Sequence, residues 1–234
     1  MIRMIGMESL VRWRHPQDGL VMPGQFIPMA EEAGVISELS RAVLANALRD
    51  LGRWRAEGRQ WDVAVNVSTK DFSDLRFPDH LAEEAARAGA PLQHLILEIT
   101  ESQMAADRTL QLDILTRLRL KRVRLSIDDF GTGYSFLSQL REFPVDELKI
   151  DRSFVHGAAR DTQLAAIVQS NIRLASELGL RVVAEGVEDL DDWRFLRAAG
   201  CTYAQGYFVA RPMPGAELVA WEADWRSRRS ELAA

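Results

Sequence analysis

The sequence predicts an α/β barrel built from repeated βα units, and three observations carry that prediction. Apolar or β-branched runs recur at about 3–10, 62–68, 94–100, 122–128, 146–151, 180–185 and 202–207, most of them followed by a stretch with helical periodicity. These runs lead into polar groups: Glu8, Asn66, Glu98, Asp128 with Asp129, Lys149, Glu185 and, in the last, Gln205. The steps from residue 66 to 98, 128, 149 and 185 are each about one strand, one helix and two loops long. Parallel strands joined by crossover helices bring such ends together on one rim, where the catalytic groups of barrels gather.

In chain order, the run ending near Glu8 precedes helical stretches at about 24–33 and 37–57, the second closed by Gly58. Val63-Ala64-Val65-Asn66 ends in a neutral oxygen donor and leads to a helix at about 79–89, closed by Gly89. Ile96-Leu97-Glu98-Ile99 sets a carboxylate inside an apolar strand, where an unpaired charge is strongly disfavoured. A helix at about 107–120 follows.

Val123, Leu125 and Ile127 then alternate along a strand that ends in Asp128-Asp129 and Gly131-Thr132-Gly133. Two adjacent carboxylates raise one another's pKa unless cations stand beside them. Glycines after them permit a tight turn and a loop that moves. Leu148-Lys149-Ile150-Asp151 brings a cation to the same level, and Ala184-Glu185-Gly186-Val187-Glu188 adds two more carboxylates. Helices at about 161–178 and 189–199 end at Gly179 and Gly200, and a last one spans about 214–228. The count is seven strands, one fewer than a complete barrel has.

Composition fits one soluble domain over residues 1–234: 47% of residues are hydrophobic and 27% charged. A net charge of −5 argues against a broad DNA- or RNA-binding surface, which needs clustered Lys and Arg. No apolar run approaches the roughly 20 residues that span a bilayer. The first residues do not read as a signal peptide, so a cytoplasmic protein is expected. One cysteine, Cys201, excludes an internal disulfide and a Cys-rich zinc site, and reads as a small buried hydrophobe. His15, His80, His94 and His156 lack metal-binding spacing. The remaining donors are oxygens, which suit two hard divalent cations, Mg²⁺ or Mn²⁺, rather than zinc or copper. Paired ions of this kind suit phosphodiester hydrolysis.

Glu8-Ser9-Leu10-Val11-Arg12-Trp13, Asn66-Val67-Ser68, Glu98-Ile99-Thr100-Glu101, DDFGTGYS from Asp128, Leu148-Lys149-Ile150-Asp151, Ala184-Glu185-Gly186-Val187-Glu188 and Gln205-Gly206-Tyr207 resemble, in order, the motifs of the EAL-domain family. Its members are bacterial phosphodiesterases that open cyclic di-GMP to linear pGpG on a TIM-like barrel. The resemblance implies that Glu8, Asn66, Glu98 and Asp128 hold one metal, and that Asp128, Asp129 and Glu185 hold the second. It implies catalytic roles for Glu185, Lys149, Gln205 and Glu8, with Glu185 and Lys149 positioning or activating the water. Arg12, Asp151 and Glu188 would contact substrate. Glu101 and the loop with Gly131, Thr132 and Gly133 would couple metal binding to loop position, at a segment often found in a homodimer contact. A sensor or regulatory domain outside this chain is also expected.

Two departures stand out. Ser9 replaces the usual alanine, a small change. The family's first, antiparallel strand, with its Tyr-Gln-Pro-like segment, has no counterpart here, in keeping with the count of seven. The expectation is a gap filled by a partner copy or a weakened substrate pocket.

Three functions compete. An active phosphodiesterase leads, because the implied metal and water-positioning residues are all present. A receptor that binds cyclic di-GMP without cutting it comes next. A barrel metalloenzyme that abstracts a proton with Lys149 as base is the third, and Asn66, Gln205 and the double aspartate fit it less well.

Overall fold

The computed structural model describes residues 3–68, 70–100, 108–131, 140 and 142–233. The chain divides into two compact units, one of Met1–Val65, Asp79–Leu95 and Pro212–Ala234, the other of Asn66–Pro78 and Ile96–Arg211.

In the first unit, β1 (Gly6–Ser9) runs parallel to β4 (Asp62–Asn66), with Gly6 opposite Asp62 and Glu8 opposite Ala64. A short antiparallel hairpin, β2 (Trp13–His15) and β3 (Gly19–Val21), lies between them in sequence. Its turn is capped locally: the Asp18 N–H donates to His15 Nδ1 at 3.1 Å. Helix α1 (Pro23–Glu32) starts on a proline, whose missing N–H is no loss in a first turn. Helix α2 (Ile36–Ala56) buries Leu44, Ala47, Leu48, Leu51 and Trp54, a stripe at helical spacing that packs into the unit's core. The last helix of the chain, α8 (Leu218–Ala233), is held to this unit by Glu222, which accepts from Arg59 at 2.7 Å and from Arg226 at 2.8 Å. Helix α3 (Phe77–Ala88) belongs to this unit from Asp79 onward.

The second unit repeats strand and helix. Its strands are β5 (Leu95–Thr100), β6 (Arg124–Phe130), β7 (Glu147–Ile150), β8 (Arg181–Ala184) and β9 (Tyr203–Ala204). Each is parallel to the next. Just beyond β4, the Val67 N–H donates to the Glu98 carbonyl of β5 at 3.1 Å. The connections carry α4 (Arg108–Leu120), α5 (Arg152–Val155), α6 (Thr162–Glu177) and α7 (Leu190–Ala198). Asp161 and Asp189 cap α6 and α7 by accepting backbone N–H bonds of the first turn. β5 and β7 are buried along nearly their whole length, as strands of a parallel sheet covered on both faces must be.

The predicted α/β class is therefore the observed one, with seven strands in parallel pairings among the described residues. The sequence did not reveal the β2/β3 hairpin, because strands of three residues are too short to show alternation. It also stopped β6 at residue 128, whereas the strand runs on through both aspartates to Phe130.

Candidate metal and active site

In a regular strand, neighbouring side chains point to opposite faces, so Asp128 and Asp129 would not face one site together. The chain departs from regularity at this point. The register between β6 and β7 shifts between Ile127 and Phe130, and Asp129 adopts a left-handed backbone with φ of 55°. Aspartate tolerates that region better than most residues, and such bulges re-aim side chains beside active sites. Carboxylate oxygens of Asp128, Asp129 and Glu185 consequently lie within 4.8 Å of one another.

Beside them stands Lys149, only 1% exposed despite its length. Its ammonium is 2.8 Å from Glu98, 3.2 Å from Asp128 and 2.6 Å from Glu185. Glu98 also accepts from the Asn66 amide at 3.1 Å. One strand thus supplies each group: Asn66 from the end of β4, Glu98 from β5, the aspartates from β6 and Lys149 from β7, with Glu185 following β8. Glu185 and Gln205 leave the sheet side by side, since the Gln205 N–H donates to Ala184 at 2.8 Å and its carbonyl accepts from Val187 at 3.0 Å. Gly186, between them in the turn, has φ of 67°, and a Cβ there would lie 2.3 Å from the Arg152 Cβ. No other residue meets both demands.

Among the described residues, the carboxylates of Glu98, Asp128, Asp129 and Glu185 gather near the Lys149 ammonium. Burial, the Asp128 carboxylate and the Asp151 carboxylate hold the Asp129 pKa above its ordinary value, against the pull of Lys149. A close cluster of carboxylate oxygens suits hard divalent cations.

The structure brings Asn66, Glu98, Asp128, Asp129, Lys149 and Glu185 together, with Asp151 beside Asp129. Asp151 also caps α5 by accepting from the Ser153 N–H at 2.9 Å. Glu188 faces Arg152 at 3.7 Å and His156 at 4.0 Å. Glu8 and Arg12 belong to the first unit, where the Arg12 guanidinium donates to the Val11 carbonyl at 2.8 Å. Gly131 follows β6, while Glu101, Thr132 and Gly133 lie outside the described residues.

Sequence reasoning missed a second buried polar row. Glu98 pairs in register with Ser126, Ser126 with Glu147, and Glu147 with Arg181. Ser126 and Glu147 lie two residues before Asp128 and Lys149 on the same strands, both buried. The signal was present in the sequence as polar residues at alternate positions of apolar strands. Burial pushes the Glu147 carboxyl pKa up, opposed by Arg181, Ser126, Arg124 and Lys149.

The family model for the EAL domain matches residues 2–212. The chain belongs to the EAL-domain family. It is 44% identical over 218 residues to the bifunctional diguanylate cyclase/cyclic di-GMP phosphodiesterase MucR of Pseudomonas aeruginosa, covering 93% of this chain and 32% of MucR. It is 40% identical to the cyclic di-GMP phosphodiesterase PA2567 of the same organism, covering 94% of this chain and 37% of that one. This EAL domain thus spans about a third of the length of these curated relatives. Among solved structures, the PaMucR phosphodiesterase in complex with c-di-GMP superposes with a TM-score of 0.86 at 44% identity, over 92% of this chain and 87% of that one. The FimX EAL domain from Pseudomonas aeruginosa bound to c-di-GMP gives 0.81 at 25% identity, over 88% and 82%. Among the described residues of this EAL domain, no helix is long and apolar enough to cross a membrane.

Proposed function

We propose that this EAL domain hydrolyses cyclic di-GMP to linear pGpG with the help of two divalent cations, Mg²⁺ or Mn²⁺. The convergence of Asp128, Asp129 and Glu185 around Lys149 carries the proposal, together with relatives named as phosphodiesterases. Glu8, Asn66, Glu98 and Asp128 would hold one cation, and Asp128, Asp129 and Glu185 the other. Bound there, the cations would hold phosphate oxygens, make a water acidic and neutralise the departing oxygen.

The chain's own groups have distinct tasks in this reading. Lys149 fixes the rotamers of Glu98, Asp128 and Glu185 through its three ion pairs. Glu185 accepts one proton from the attacking water as the new P–O bond forms. The P–O3′ bond breaks, and the departing oxygen takes a proton from solvent. Gln205, hydrogen-bonded through its backbone beside Glu185, steadies that acceptor. Arg12, Asp151 and Glu188 contact the substrate, and Glu101 with Gly131, Thr132 and Gly133 links cation binding to loop position. A homodimer, a cytoplasmic setting and a sensor or regulatory domain elsewhere in a longer protein belong to the same reading. Relatives roughly three times longer support the last of these.

The test is to incubate the chain with cyclic di-GMP and either cation and to separate the products by chromatography. Appearance of pGpG with the wild type and not with Asp128→Ala supports the proposal. Binding without product would instead make the chain a receptor, and neither would remove both readings.

A further inference from the structure

Tyr207 is 52% exposed, although it stands between residues fixed tightly to the sheet. On one side the Gln205 carbonyl accepts from the Val187 N–H, and on the other the Phe208 N–H donates to the Val187 carbonyl, both at 3.0 Å. Gly206 allows this wrap: a Cβ there would lie 2.2 Å from the Val187 oxygen. The backbone on either side of Tyr207 is therefore pinned to Val187, which follows Glu185 by two residues. Phe208 is the ring that packs on Trp193, with centroids 6.0 Å apart. The Arg211 guanidinium lies over the Tyr207 ring, 4.7 Å from its centroid. A rigid, half-open aromatic ring backed by a cation is the form taken by base-stacking platforms in nucleotide-binding proteins.

We propose that Tyr207, braced by Arg211, is a positioning and specificity residue that stacks one purine base of the substrate. The inference rests on the reading of the site as one for a cyclic purine dinucleotide. Stacking holds the base and leaves the chemistry at phosphorus to the carboxylate cluster, so it acts on KM and not on kcat.

Steady-state kinetics with cyclic di-GMP on Tyr207→Ala, Tyr207→Leu and Tyr207→Phe test this. Loss of the ring raises KM about tenfold or more in the Ala and Leu variants. The expected kcat stays within about twofold of wild type, and Phe restores the wild-type KM, since the π face and not the hydroxyl is used. An unchanged KM in Tyr207→Leu overturns the platform while the phosphodiesterase reading stands. A fall in kcat with KM unchanged, or failure of Phe to rescue, makes the residue structural and also overturns it. If the wild type binds without cleaving, the same comparison is made on Kd. A wild-type chain that neither binds nor cleaves overturns both.

Discussion

Lys149 and Glu147 sit two residues apart on one strand, both buried, both charged and both on the same face, yet their surroundings differ in kind. Lys149 is met by three carboxylates at 2.6 to 3.2 Å, each from a different strand or strand end. Glu147 has Arg181 at 3.8 Å and stands in register with Ser126, and burial is the largest influence on its pKa. Burial of a charge alone therefore does not mark a site. The difference is that several carboxylates from different strands converge on one place, with oxygens of Asp128, Asp129 and Glu185 within 4.8 Å of one another. That closeness raises the cost of keeping all of them charged unless cations stand beside them. Glu147 is a tolerated buried acid in the layer beneath.

The comparison breaks most sharply at Asp128, which pairs with Lys149 at 3.2 Å and is proposed to hold both cations. Asp128→Ala abolishes hydrolysis while the protein stays folded by circular dichroism; near-normal activity would separate the cluster from the chemistry. Lys149→Met comes next. It leaves buried carboxylates without their cation and lowers stability by about 3–5 kcal/mol in chelator, the range for breaking a buried pair. Divalent cations should restore part of that loss in thermal melts, and absence of any recovery would argue that the cluster does not bind them.

Gly186→Ala has a smaller effect, because it strains a left-handed position and meets the Arg152 Cβ. A loss of about 1–3 kcal/mol in denaturant unfolding is expected. Glu147→Gln acts in the opposite direction. A carboxyl whose folded pKa lies above the ordinary 4.5 binds its proton more tightly in the folded state. Its contribution is most favourable below pH 4.5 and is lost as pH rises through the raised folded value. The variant should melt at a higher temperature than wild type at pH 7, with the difference fading below pH 4.5. A pH-independent difference would contradict the assignment. Arg160→Gln removes only exposed ion pairs to Asp189 and Asp191 and should leave the melting midpoint unchanged.

Much of this layout was legible in the sequence because parallel strands read as apolar runs and their polar ends interrupt them. Glu98, inside Ile96-Leu97 and Ile99, could not be explained as a surface residue. The sequence could not show how Asp128 and Asp129 share a site, since strict alternation predicts opposite faces. That depends on a positive φ at Asp129 and a register shift that only the neighbouring strand reveals. Ser126 and Glu147 share a face with Asp128 and Lys149 by simple alternation, but that they stand opposite one another in a buried row depends on the register between the strands. The β2/β3 hairpin escaped for another reason: each of its strands has three residues, one full alternation at most.

The carboxylates gathered around Lys149 are proposed to bind divalent cations. Counting Mn²⁺ bound per chain, by titration in the presence of cyclic di-GMP, tests it directly. Two ions are expected on the wild type, and loss of both in Asp128→Ala, since Asp128 is proposed to hold both. A wild type that binds no Mn²⁺, or an Asp128→Ala variant that binds as many, would contradict it.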